Sequence, residues 1–242
     1  MIFVAKIIRK CAAVALDAVD YAFRYGPQLM PPEEALLECD VLLRWGDGES
    51  SLAIGRSTSF QQATPQLARE LRSLLRRRSA GTIICFPPFL LGRAPFSGSD
   101  DRFRRNWLPT AGLMRIWIRH GRYSDAFMFR REGQMGGLNQ LSNLLSGAQR
   151  VALLSANPAD AEILRSMQTN AVVEHVRVPG QDAYSARDEI LSALLQIEKP
   201  DILLLSAGPT GKCLAPELFR RWGKGVKIID TGHLFHHLAE AR

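Results

Sequence analysis

The sequence predicts an α/β fold: a Rossmann-like, mostly parallel sheet of about six or seven strands with helices on both faces. Short apolar runs with strand character alternate with segments of helical period through most of the chain. The runs are apolar almost throughout, as expected of strands covered on both faces. Polar and glycine residues gather at their carboxyl ends. At 242 residues the chain is long enough for one large core, and no Pro/Gly/Ser linker or change in composition divides it. The expected organisation is an N-terminal amphipathic helix over residues 1–30 and a single domain over 31–242.

Taken in order, MIFVAKIIRKCAAVALDAVDYAFRYG is too interrupted for a signal peptide or a spanning helix, with Lys6, Arg9, Lys10, Asp17 and Asp20 breaking its apolar run. A basic amphipathic helix here has two open destinations: peripheral contact with an anionic membrane surface, or packing on its own domain or a second subunit. The expected strands are Val41 to Trp45, Thr82 to Phe86, Ala126 to Phe129, Val151 to Ser155, Val172 to Val178, Ile202 to Ser206 and Val226 to Ile229. Between them, TPQLARELRSLLRRR offers Thr64 as N-cap and Pro65 at the first helical position, with Leu67, Leu71, Leu74 and Leu75 on one face. NPADAEILRSM repeats the device with Asn157 and Pro158.

The formal net charge of +7 and a sequence pI near 9.6 favour anionic partners, such as nucleotide phosphates, acidic lipid or nucleic acid. The arginine runs LRRRS and DRFRRNW suit nucleic acid, but the first has the spacing of a solvated helix face, which makes nucleic acid an unlikely partner. Cys11, Cys39, Cys85 and Cys213 form no CxxC or Cys/His pattern, so neither a zinc site nor a disulfide framework is expected, and a reduced cytoplasmic setting fits.

In an open parallel sheet, ligands bind beyond the carboxyl ends of the strands, where loops and helix N-termini converge. That rule selects Asp47 and Glu49 after the first strong strand, Arg130 after the third, Asp182 and Tyr184 after the fifth, Gly208, Pro209 and Thr210 after the sixth, and Asp230 to His233 after the seventh. Asp47 and Glu49, two apart around Gly48, can face the same way and suit Mg²⁺ or Mn²⁺. Spacing alone leaves an ordinary acidic turn equally open. DILLLSAGPTGKC resembles a phosphate loop, yet Gly208 and Gly211 enclose two residues rather than four, and Cys213 stands where a Walker motif has Ser or Thr. The general device of helix N-terminal amides receiving an anion remains. Asp230 and His233 could act as base and orienting partner or hold a sugar hydroxyl, while His236 and His237 read as surface or packing residues.

RWGDGE, SFQQATPQLARELRSLL, LLLSAGPTGKCLAPELF and IIDTGH, in that order, resemble the bacterial glycosyltransferases of the GT-D fold. The likeness is strong over 41–75 and 201–233 and weak between, where FMFRR and QDAY stand in place of the family's arginine and Asn-Ala-Phe stretch. It implies metal-dependent transfer of a hexose from a nucleotide sugar, typically a UDP-sugar, to a glycan or glycoprotein acceptor. By the same resemblance Asp47 and Glu49 bind the metal, and Arg44 and Gly46 belong to the same motif; with the strand-end reading this makes Arg44, Gly46, Arg130, Gly208, Pro209 and Thr210 the donor-binding candidates and Asp230 and His233 the catalytic ones. After Asp-X-Gly-His the family continues with acidic residues, where this chain has Leu234, Phe235, His236 and His237. The alternative class is a non-catalytic nucleotide-sugar-binding module of the same fold. A homo-oligomer is open in either case.

Overall fold

The structure, a computed structural model, describes residues 28–76, 81–87, 122–129, 135–167 and 170–239. Residues 1–27 of the expected N-terminal helix, and Arg130, lie outside the described residues.

The strands are β1 (Gln28–Leu29), β2 (Val41–Arg44), β3 (Thr82–Phe86), β4 (Arg122–Asp125), β5 (Arg150–Ser155), β6 (Val172–Arg177), β7 (Ile202–Ser206) and β8 (Lys227–Asp230). They form one sheet in the order β1-β4-β3-β2-β8-β7-β5-β6. Every pairing in it is parallel. The helices are α1 (Pro32–Glu38), α2 (Asp47–Ala53), α3 (Pro65–Arg76), α4 (Met135–Ser146), α5 (Pro158–Met167), α6 (Arg187–Gln196), α7 (Gly208–Trp222) and α8 (Leu234–Ala239).

Alternation along the strands feeds two cores, because successive side chains leave opposite faces of a sheet. Val41, Leu43, Leu203, Leu205 and Ile228 meet α2, α3, α6 and α7 on one face. Leu42, Ile202, Leu204 and Ile229 meet α1, α4, α5 and α8 on the other. Covering both faces is what makes these strands near-continuous apolar runs. In the first core Trp45, Phe86 and Tyr123 form a tilted aromatic row with centroids 6.1 and 5.6 Å apart. The Trp45 indole donates to Ser50 Oγ at 3.0 Å, tying the end of β2 to α2.

Both expected caps form: Thr64 Oγ1 accepts from the Leu67 amide, and Asn157 Oδ1 from the Ala159 amide. Two expectations are corrected. Ala126 to Phe129 is a turn rather than a strand: the Asp125 carboxylate accepts the Phe127 amide at 2.7 Å and closes the chain on itself. The apolar signal there comes from Ala126, Met128 and Phe129 filling the second core, while the strand lies just upstream, where buried Ser124 donates to the Met30 carbonyl. The sheet also gains an edge strand, β1, inside the stretch expected to be helical.

Candidate functional site at the junction of the first and last core strands

β2 and β8 are neighbours, with Leu42 opposite Ile229. The chain leaves β2 into α2 on one face and leaves β8 into α8 on the other. Connections that part to opposite faces open a crevice at the carboxyl ends of the two strands. Asp47 and Glu49 lie on one side of it, the Asp230–His233 turn lies on the other, and α7 enters from β7 beside β8.

Asp47 and Glu49 both sit in the first turn of α2, not in an extended turn, and this separates them. Asp47 is exposed, and its Oδ1 accepts the Gly48 amide at 3.0 Å. Glu49 is buried and reaches back, Oε2 accepting the Gly46 amide at 2.8 Å. That bond satisfies one of the orphan donors at a helix start. A Cβ on Gly46 would stand 2.6 Å from the same oxygen, so glycine is required where the carboxylate folds back.

The other Glu49 oxygen accepts from Lys212 Nζ at 2.8 Å, and the same ammonium lies 2.8 Å from Asp230 Oδ2. The three side chains are 9%, 4% and 2% exposed for Glu49, Lys212 and Asp230. Burial alone would lower the lysine pKa, but the Asp230 and Glu49 carboxylates outweigh it and hold the ammonium well above its usual range. In the same way Lys212 holds Glu49 below the ordinary carboxylate range against the cost of its burial. One buried cation thus joins the first motif to the last.

Asp230 has no oxygen to spare. Oδ2 also accepts the Arg44 amide at 3.0 Å, and Oδ1 accepts the Gly232 amide at 2.9 Å. Arg44 is equally committed: its Nε donates to the Ala126 carbonyl, its Nη1 to the Thr231 carbonyl, and its guanidinium lies 5.6 Å from the centre of the Phe129 ring. It clamps the ends of β2, β4 and β8. Gly232, at φ +55°, lies so near that a Cβ there would meet Arg44 Nη1.

His233 is exposed on the outer side of this turn. Partial desolvation and the Arg44 guanidinium lower its pKa, which favours the neutral imidazole. Across the crevice, Gly208 opens α7 at φ +54°, Pro209 follows it, and Thr210 is buried in the first turn. Among the described residues its Oγ1 has no hydrogen-bond partner. A buried hydroxyl without a partner is uncommon and marks a place where a polar group can be received. His236 and His237 sit on α8, with Leu234 and Phe235 turned into the core.

Asp47, Glu49, Gly46, Gly208, Pro209, Thr210, Asp230 and His233 therefore gather at one crevice, as expected. Lys212 was missed. It reads as the lysine of a failed phosphate loop, yet it is followed by CLA and sits where α7 faces inward, and a lone lysine on an apolar helix face signals a buried ion pair. Among the described residues, no group of three or more His, Cys, Asp or Glu side chains could hold a metal ion. No helix among them is long and apolar enough to cross a membrane.

The arrangement is that of a glycosyltransferase-type α/β domain, and the known proteins it resembles agree. A solved structure described as the domain of unknown function 1792 with a distinct glycosyltransferase fold superposes with a TM-score of 0.75 at 20% identity, covering 96% of this chain and 86% of that one. Another, described as a new glycosyltransferase from Streptococcus sanguinis, superposes at 0.70 with 21% identity over 89% and 85% of the two chains. The probable glycosyl transferase Gly of Streptococcus gordonii is 23% identical over 206 residues, 80% of this chain. The chain spans 29% of that relative's length. The glycosyltransferase GT-D fold family matches residues 42–238, and the chain belongs to it.

Proposed function

We propose that this glycosyltransferase moves a hexose from a nucleotide sugar, a UDP-sugar, to a hydroxyl of a glycan or glycoprotein acceptor, with Mg²⁺ or Mn²⁺ as cofactor. The observation that carries this reading is the convergence of an exposed carboxylate, Asp47, the opening turn of α7 with the Thr210 hydroxyl, unpartnered among the described residues, and the exposed His233 at one crevice.

The residues fit a divalent cation in part. Asp47 faces solvent at the crevice, and such cations take one or two carboxylates, leaving the remaining positions to water and phosphate oxygens. Glu49 has both oxygens engaged by Gly46 and Lys212, so its part is to set the turn that presents Asp47. When bound, the cation supplies charge neutralisation for the diphosphate leaving group. The first-turn amides of α7 and the Thr210 hydroxyl then donate to diphosphate oxygens, an electrostatic term aimed where charge develops. His233 takes the proton of the acceptor hydroxyl. Asp230 holds Arg44, Lys212 and Gly232 in place for that step and acts as a positioning residue, both its oxygens being engaged within the protein.

A non-catalytic nucleotide-sugar binder is the second reading, favoured by the loss of Asp230 as a base. Thermal stabilisation by UDP and by UDP-hexoses, with and without Mn²⁺, tests donor binding in the parent chain and in Asp47→Ala. Release of UDP from a UDP-hexose then separates the two readings. Stabilisation that is equal in both proteins, or that needs no metal, sinks the assignment of Asp47.

A further inference from the structure

Phe60 is one of three large hydrophobic side chains exposed among the described residues, at 41%. The other two, Leu37 and Val172, belong to α1 and to the edge strand β6. Phe60 stands instead at the crevice. The outer edge of its ring rests on two glycines: a Cβ on Gly48, in the first turn of α2, would lie 2.9 Å from Cζ, and one on Gly208, at the start of α7, would lie 3.7 Å from Cε2. The ring therefore bridges the residue beside Asp47 and the helix start that faces the donor diphosphate.

The loop beneath it is rigidly built. The Thr58 amide donates to the Gln61 carbonyl, and Thr58 Oγ1 accepts the Gln61 amide. The Phe60 carbonyl accepts the Asp182 amide at 2.8 Å. Buried Gln61 donates to Asp182 Oδ1 at 2.6 Å and accepts the Tyr184 amide at 3.1 Å, while the Gln62 amide reaches the same Asp182 oxygen. Asp182 adopts φ +53°, a left-handed conformation uncommon outside glycine, to make these bonds. An exposed aromatic ring on a loop held by this many bonds is preorganised to receive a flat group.

We propose that Phe60 is the platform on which the nucleobase of the donor stacks. This rests on the donor reading above. A hexose ring in this place would need polar partners for its hydroxyls, and the loop has few to give. Thr58 Oγ1 and Ser57 Oγ are bonded within it, and the ring edge faces two glycines, which carry no side-chain polar group. A base needs only a flat apolar surface at ribose distance from the diphosphate, which stacking on an aromatic side chain supplies.

The test is calorimetric titration of the full chain with Mn²⁺ present, using UDP, a UDP-hexose and inorganic pyrophosphate as probes. The proteins are the parent, Phe60→Ala, Phe60→Leu and Phe60→Trp. Because the side chain is half in solvent, all three variants are expected to melt close to the parent. Phe60→Ala and Phe60→Leu should weaken UDP by roughly 5- to 100-fold, leaving pyrophosphate within about twofold, and Phe60→Trp should keep UDP affinity. Unchanged UDP binding in Phe60→Ala overturns the platform and leaves the donor reading standing. Weakening of the UDP-hexose but not of UDP assigns the ring to the sugar and also overturns it. A parent chain that binds pyrophosphate but not UDP overturns the donor reading and the platform together.

Discussion

The two carboxylates of the Asp-Gly-Glu motif are two residues apart and do opposite things. Glu49 is buried, shares Lys212 with Asp230 and caps its own helix. Asp47 points outward at the same helix start. The same division runs across the crevice, where Asp230 is sealed inside the turn and His233, three residues on, lies at its surface. The inner layer is architecture made of charge, and the outer layer carries the residues to which the proposed chemistry is assigned. A helix start produces the split, because successive residues there point about 100° apart rather than to a common side.

Removing the inner cation is expected to have the largest effect. Lys212→Met leaves two buried carboxylates facing each other and should cost about 3–5 kcal/mol of folding stability, read as a lower denaturant midpoint. Adding Glu49→Gln and Asp230→Asn should recover much of that loss. A Lys212→Met chain as stable as the parent would remove the inner layer from the account. The outer layer should respond in the opposite sense. Asp47→Asn is expected to stay within about 0.5 kcal/mol of parent stability while turnover of a UDP-hexose falls roughly 100-fold, about 2.7 kcal/mol of barrier. Initial rates set beside a melting curve check both halves.

A smaller effect tests the joint between the layers. Gly232→Ala brings a Cβ against Arg44 at a positive φ, and should lower stability by about 1–3 kcal/mol, with Arg44→Ala relieving part of the clash. The smallest concerns pH. The His233 pKa is lowered from 6.5, so the base stays neutral on the descent from pH 7, and the acid limb of kcat/KM should fall below pH 6.5. Stability follows the same sign: the unfolded chain takes up this proton first, so a modest loss begins below pH 6.5 and is complete once pH passes the lowered folded value. In His233→Asn both limbs should vanish. A rate profile unchanged by that substitution would assign the base elsewhere.

How much of this was legible in the sequence follows from the range of the forces involved. β3 and β7 carry their own signal, a run of apolar residues closed by a turn, and were located residue for residue. The caps at Thr64 and Asn157 are equally local. β4 was misplaced because RYSD carries no apolar run, its last three residues being buried nonetheless, with Ser124 reaching Met30 across 94 positions. The site shows the same pattern. Its members could be named from strand ends, whereas their roles depended on partners far along the chain. Lys212 meets Glu49 across 163 positions and Arg44 meets Asp230 across 186. A local pattern can suggest that a buried charge has a partner, as for Lys212, but not which residue far along the chain it is.

The division between the two carboxylates is tested most directly by measuring Mn²⁺-dependent UDP binding and melting temperature on Asp47→Asn and Glu49→Gln side by side. The expected result is that Asp47→Asn melts like the parent and loses the metal dependence of binding. Glu49→Gln should melt lower yet keep that dependence in its folded fraction. A Glu49→Gln chain that melts like the parent and no longer responds to Mn²⁺ would make Glu49 the ligand and contradict the account.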